Sequence, residues 1–315
     1  MAVKFGISFG MHPERIPPPA EAFSYAERAE ALGFDSLWVG DHIAFHGHYP
    51  EALATLAAFA ARTRRITLGA CVYLLPLRRP AIAAKAAATV DYLSEGRFIF
   101  GVGVGGEGEA EFELCGVPLK ERGARTDEAL EILRKLWSGE EVAHAGRFFR
   151  FGPVRQSPPP ASPGGPPVWV GGRSEAAQRR AALRAEGYVS YLYSPERYAE
   201  GLDKMRAWAA EAGRELEIEA GKWTPAHHAF IYLHDDAERA LRRGIENLSR
   251  RYNMDFRGIA EKYLFYGPAE RCREQVEAFK AAGAAHFIFK HAGPAEEEAD
   301  QMARLAEEFI PEGGR

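Results

Sequence analysis

The stretch PVWVGGRSEAAQRRAALRAE, from Pro167 to Glu186, has the residue types of an anion seat. Val168, Trp169 and Val170 read as a buried strand, and Gly171 and Gly172 let backbone come close to a ligand. Ser174 is placed to cap the alanine-rich helix that follows, so the free N–H groups of its first turn and the charge of Arg173 face one point. Phosphate chemistry fits such a turn, and the competing reading is a tight strand-to-helix connection with a good N-cap and no ligand. A second cluster stands in WVGDHIAFHGH, where Asp41 and His42 end an apolar run and His46 and His48 follow in the same loop. These are metal-ligand types, but they crowd one loop and no distant motif completes a shell, so no metal is expected. The bland alternative makes Asp41 a cap for the next segment and His42 a rim residue.

Groups on separate loops share a site only if a scaffold brings the loops together. Along the chain the apolar period switches repeatedly between short runs and helical spacing, as consecutive βα units require. Strands are expected at Phe5 to Phe9, Ser36 to Val39, Ile66 to Val72, Phe98 to Val102, Val168 to Val170, Tyr188 to Tyr191, His228 to Leu233 and His286 to Phe289. Helical layers separate them: Pro19 to Leu32, Glu51 to Arg62, Pro80 to Leu93, Arg122 to Trp137, Ser174 to Ala185, Pro195 to Ala212, Ala237 to Asn253 with Ala269 to Ala282, and Glu296 to Phe309. Eight strands alternating with eight helical layers describe an α/β fold of the (β/α)8 TIM-barrel type, a single domain over residues 1–315. A doubly wound open sheet is the rival, but Gly6 and Gly10 supply no dinucleotide fingerprint after the first strand. An insertion follows the fourth βα unit: a small hairpin from Glu141 to Phe151 turning at Ala145 and Gly146, then Gly152 to Pro167 with seven prolines. The proline-rich part reads as a stiff loop lying over one barrel face.

In a TIM barrel the loops after the strands carry the chemistry, which places several segments at one rim. Besides Asp41 and His42 these are Ala70, Cys71 and Val72 after strand three, Gly103, Val104, Gly105 and Gly106 with Glu107 and Glu109 after strand four, and residues 171–174 after strand five. One shared pocket is expected.

Composition narrows the partners. A formal net charge of −4, with basic and acidic residues interleaved, argues against nucleic acid. Cys71, Cys115 and Cys272 have no metal or redox spacing, no membrane span is legible, and the first residues, MAVKFGISFGMHP, lack a leader pattern. The expectation is a reduced, cytoplasmic protein acting on a small molecule, as a homodimer or higher homo-oligomer.

Six blocks then carry a resemblance over nearly the whole chain: GFDSLWVGDH at 33–42, RITLGACVYLLPLRRP at 65–80, LSEGRFIFGVGVG at 93–105, RTDEALEILRKLW at 125–137, PVWVGGRSEAAQRRAA at 167–182 and GPAERCREQVEAFKAAGAAHFIF at 267–289. In these blocks the chain resembles the bacterial luciferase-like flavin and deazaflavin oxidoreductases, and the Asp-His pair after strand two is most similar to the branch using coenzyme F420. The resemblance implies F420 as cofactor, with FMN as the alternative. It implies that Asp41 contacts the cofactor ring system and that His42 lies beside the reacting carbon, where an imidazole moves a proton as hydride travels.

It further implies a bulge with a non-proline cis peptide at residues 70–72 behind the ring, while the residues themselves offer glycine-loop contacts from residues 103–106 and a phosphate seat at residues 171–174. In similar sugar phosphate dehydrogenases an acid of the fourth loop donates a proton; an extra glycine displaces that carboxylate here, and Glu107 is its nearest counterpart. His46 stands where those enzymes place a tryptophan, which disfavours a glucose phosphate substrate. Arg78 and Arg79 either meet phosphate or the acidic tail of a deazaflavin, or are solvated, and Tyr191, Tyr193, Trp223, His227 and His228 are candidates for an aromatic substrate cleft. Hydride transfer between a deazaflavin and a small organic substrate is the reading; an FMN-dependent monooxygenase and a non-catalytic flavin-binding protein are the alternatives.

Overall fold

A computed structural model describes residues 2–10, 16–106 and 108–311. Its strands in chain order are β1 (Lys4–Phe9), β2 (Ser36–Val39), β3 (Thr67–Ala70), β4 (Tyr73–Leu74), β5 (Phe98–Gly103), β6 (Val142–Ala145), β7 (Arg150–Val154), β8 (Val168–Gly171), β9 (Gly187–Tyr191), β10 (Thr224–Leu233), β11 (Phe265–Gly267) and β12 (His286–His291). The helices are α1 (Pro19–Ala31), α2 (Ala52–Arg62), α3 (Pro80–Leu93), α4 (Glu109–Leu114), α5 (Arg122–Trp137), α6 (Glu175–Arg184), α7 (Pro195–Glu211), α8 (Ala237–Tyr252), α9 (Arg257–Tyr263), α10 (Ala269–Ala281) and α11 (Glu298–Phe309).

Parallel pairing runs β1 to β2, β3, β5, β8, β9, β10 and β12, and β12 returns to β1. This is the closed eight-stranded barrel expected. Two extra short strands sit on it: β4 continues the third strand along β5, and β11 pairs with the far end of β10. Closure follows from composition, because strands such as SLWV and FIFGVG bury nearly every residue and need cover on both faces.

Trp38, Trp169, Val189, Ala226 and Ile288 come from five different strands and pack together, which they can do only inside the barrel. Small residues make room for the two indoles: a Cβ on Gly69 would stand 2.2 Å from Trp38 and one on Gly187 2.6 Å from Trp169. Since side chains alternate along a strand, this cluster fixes which residues point inward at the next level, toward the strand ends. They are Ser8, Tyr191, His228 and Lys290, with Cys71 packed on the cluster itself.

The hairpin forms as β6 and β7, with its turn closed by a bond from the Gly146 N–H to Phe149 O at 2.9 Å. Glu128 of α5 anchors it by accepting from the Phe148 and Phe149 N–H groups. The proline-rich stretch does not lie over an end of the barrel. It runs along α3: Gln156 bonds Ala81 O at 3.2 Å, Lys85 bonds Ser157 O, and Ser162 bonds Asp91 through both its N–H and its hydroxyl. That course returns the chain to the start of β8. The seventh barrel strand begins earlier than its apolar pattern suggests, at Thr224, with Pro225 inside it. Pro225 lacks an N–H but still accepts from Ala285 N at 2.9 Å, so one missing donor leaves the ladder intact.

Candidate active site

Strand β3 stops at Ala70, the Cys71–Val72 peptide is cis, as expected at this bulge, and pairing resumes in β4. Val72 is gripped from two neighbouring strands. A Cβ on Gly103 would stand 2.4 Å from Val72 Cγ2, and one on Gly171 2.5 Å from Val72 Cγ1. These glycines are therefore flat to receive the bulge. Gly101 serves the same segment, since its Cβ would stand 2.0 Å from Ala70 O.

Asp41 follows β2 and is buried, and its carboxylate is committed to protein donors. Oδ2 accepts from Leu74 N at 2.8 Å, and the Arg78 guanidinium donates to both oxygens, Nη2 to Oδ1 at 2.7 Å. Arg78 also lies over the Tyr73 ring, 4.3 Å from its centroid. This fork ties the end of β2 to the segment just past the cis peptide, so Arg78 is neither solvated nor held free for a phosphate.

His42 turns out of the interior, half-buried, with its side chain 13% exposed. Its Nδ1 lies 3.0 Å from Oε2 of Glu111 in α4. The other oxygen of Glu111 accepts from Ile43 N at 2.6 Å and Ala44 N at 3.0 Å. Burial opposes the charge on Glu111, yet the His42 bond and the two backbone donors prevail and hold its carboxyl below the usual range. The result is a carboxylate–imidazole pair in which the carboxylate is itself fixed on the loop it orients.

The sequence reading had no means of choosing Glu111 among the acids of GEGEAEFE. Burial separates them, since Glu111 is buried while Glu109 and Glu113 are exposed. Glu107 lies outside the described residues. The preceding loop needs glycine: Gly105 and Gly106 have φ of 65° and 123°. Val104 and Gly105 are half-buried and Gly106 is exposed.

An aromatic wall runs from His42 across the mouth. His42 stacks on Phe45 at 3.9 Å between centroids, Phe45 meets Tyr252 at 6.3 Å, Tyr252 meets Phe230 at 5.8 Å and Phe230 meets His228 at 5.2 Å. Below it, Cys71, Tyr191 and His228 are inward-facing but only half-buried, so the barrel is open to solvent at this level. Burial, then the nearby Lys290 charge, drive the His228 pKa down to about 3, keeping it neutral. Burial pushes the Cys71 thiol up to about 12, consistent with packing rather than nucleophilic work.

Of the other aromatic candidates, Trp223, His227 and Tyr193 do not line the mouth. Trp223 is buried, and His227 faces outward, stacked on Phe279 at 3.9 Å. Tyr193 donates to Arg173 O at 2.9 Å. Alternation explains the split between His227 and His228.

At the end of β8, Gly172 has φ of 150° and its carbonyl accepts from Tyr188 Oη at 2.6 Å. The Arg173 carbonyl accepts from Tyr193 Oη and from Arg197 Nη2 at 3.1 Å. With these carbonyls tied back, Ser174 caps α6 by accepting from Ala177 N at 3.2 Å, and Arg173 is exposed beside Tyr191, 5.0 Å from its ring centroid. Residues 171–174 form a strand-to-helix turn with Ser174 as N-cap, and the Gly172 N–H donates to Val189 O at 3.2 Å. His46 and His48 are exposed, and among the described residues no three His, Cys, Asp or Glu side chains gather as a metal site. No helix of the described residues is long and apolar enough to cross a membrane.

The family model for luciferase-like monooxygenases matches residues 2–312 of this chain. An F420-dependent glucose-6-phosphate dehydrogenase of Amycolatopsis mediterranei (strain U-32) is 26% identical, over 93% of this chain and 94% of that protein. Among solved structures, monooxygenase RslO1 from Streptomyces bottropensis is 27% identical with a TM-score of 0.84, covering 98% of this chain and 99% of that one. An F420-dependent secondary alcohol dehydrogenase, solved with an F420-acetone adduct, shares the fold at a TM-score of 0.84 and 22% identity, with all of both chains covered. The chain belongs to the luciferase-like monooxygenase family and is an oxidoreductase.

Proposed function

We propose that this member of the family is an F420-dependent oxidoreductase that moves hydride between the deazaflavin and a small organic substrate. The observation that carries the reading is the His42–Glu111 pair at the barrel mouth, supported by the F420-dependent name of a relative that matches nearly end to end. The donor set fits such a cofactor: an anion seat at residues 171–174, a cis step at Cys71–Val72 for the back of a planar ring, and a half-buried imidazole beside them. Residues 171–174 and Arg173 would hold a phosphate, and residues 70–72 with 103–106 would back the ring and its chain. A deazaflavin supplies a carbon centre for hydride, whereas a reduced flavin passes electrons to oxygen.

His42 then holds or moves the proton that accompanies hydride at the substrate oxygen, and Glu111 keeps its ring oriented. Asp41 acts through Arg78 and Leu74, fixing the segment past the cis step that would back the ring. The exposed His46, where similar sugar phosphate dehydrogenases place a tryptophan, leaves glucose phosphate disfavoured as the substrate.

A second reading, an FMN-dependent monooxygenase, is favoured by the family model and by the RslO1 likeness. Assays with F420 and a panel of alcohols, ketones and aromatic acids separate the two readings. F420-dependent turnover that vanishes in His42→Ala supports the first, and turnover only with reduced FMN and oxygen supports the second.

A further inference from the structure

Lys290 is buried inside the barrel, 4% exposed, one pleat beyond Ile288 on β12. Buried lysines are rare unless paired. Its Nζ has only two distant contacts, Ser8 Oγ and Phe9 O, each at 3.5 Å. Among the described residues no carboxylate lies within ion-pairing distance of it. The charged and titratable groups around it come from four elements: Arg251 of α8, which donates to His291 O at 3.0 Å, Glu298 of α11, Cys71 after β3, and His228 of β10.

Burial, then Arg251, bring the Lys290 pKa down to about 8, and Glu298 and Cys71 only partly offset them. At neutral pH it is still largely a cation. An ammonium taken out of water without a carboxylate paired to it is strongly disfavoured, and a bound anion offsets that cost. The register places Lys290 beside Phe230, a member of the aromatic wall. The site therefore offers a buried ammonium with no carboxylate paired to it, a neighbouring hydroxyl, and a planar apolar side.

We propose that Lys290 is a substrate-recognition residue whose ammonium pairs with the carboxylate of a small aromatic acid seated against the wall of Phe45, Tyr252 and Phe230. The inference rests on the barrel mouth being the active site, as in the proposed function. A monoanion matches the ammonium, since Arg251 beside it donates to the His291 carbonyl. Ser8 Oγ, already beside Nζ, is a second donor for the same oxygen.

Benzoate and its neutral isostere benzamide test this by calorimetric titration of the protein with and without F420. Saturable benzoate binding at least tenfold tighter than benzamide is expected. Lys290→Met should remove that preference and Lys290→Arg should keep it. Lys290→Gln serves as a second neutral variant should the methionine variant not fold. Equal binding of the two compounds, no saturable benzoate binding, or a neutral variant that keeps the preference would overturn the proposal. F420 affinity of the neutral variants should stay at the parent value, and its loss would instead assign the cation to the cofactor. A parent that binds no F420 but prefers benzoate through Lys290 would overturn the F420 reading and leave this one standing.

Discussion

Nδ1 of His42 and Oε2 of Glu111 stand 3.0 Å apart although 69 positions separate them in the chain. The loop after β2 and the helix after β5 thus meet over the barrel mouth, and the same carboxylate also accepts from the two N–H groups that follow His42. Glu111→Gln keeps an oxygen for those donors but removes the charge that steadies the imidazole. Turnover should fall by roughly 10- to 100-fold with cofactor affinity nearly unchanged, less than the roughly 10²- to 10⁴-fold that a proton-transferring group itself contributes. Glu111→Ala also frees the loop, so it should raise the substrate KM as well. Equal kinetics for the glutamine variant and the parent would remove Glu111 from the machinery.

Arg78 and Asp41 form the second fixed relationship at the site. With Arg78 replaced by methionine, a fully enclosed carboxylate keeps only the Leu74 N–H. The expected loss is about 3–5 kcal/mol of unfolding free energy, typical of breaking one side of a buried pair. Asp41→Asn in the same background should recover part of it. Urea denaturation of the three proteins measures this, and an Arg78→Met loss below about 1 kcal/mol would mean the pair is not structural.

Val72 is held between Gly103 and Gly171, so enlarging either glycine should push the bulge out of place. Gly171→Ala is expected to weaken cofactor binding by roughly tenfold, about 1.4 kcal/mol, and adding Val72→Ala should restore much of it. Gly101→Ala has no such rescue, because its neighbour is the Ala70 carbonyl rather than a side chain, and should compromise folding itself. Additive effects in the Gly171–Val72 cycle would contradict the packing argument.

Acid should destabilise the fold well before the carboxylates titrate. His227 bonds Ser190 Oγ at 2.8 Å and His286 bonds Ser36 Oγ at 2.7 Å, and burial lowers both pKa values from 6.5 to about 3. A depressed histidine pKa means that the unfolded chain binds a proton the folded one refuses. Stability is therefore full above about pH 6.5 and declines as pH falls toward 3. Unfolding free energies should drop measurably between pH 7.5 and pH 5.5, and a flat profile would show that these rings are protonated in the fold.

Much of the barrel was legible because buried parallel strands read as short apolar runs between helical segments. All eight barrel strands lie where those runs stand. What escaped has physical causes. Pro225 conceals the start of β10 because a proline normally ends a strand, and β11 is too short and too lightly patterned to stand out. Glu111 was hidden among alternating acids, since only the phase of a six-residue helix decides which one turns inward. Lys290 carried no motif at all. Its significance comes from strand alternation inside a closed barrel, which places a charge where an apolar residue would usually sit.

Cofactor identity tests the account most directly. Purified protein is titrated in parallel with F420 and with FMN, following the absorbance and fluorescence of each ring, and both titrations are repeated on Arg173→Ala. The account predicts saturable F420 binding, at least tenfold tighter than FMN, that weakens by roughly tenfold, about 1.4 kcal/mol, when the Arg173 charge is lost. Saturable binding of FMN alone, with reduced FMN consuming oxygen on the protein, would contradict it.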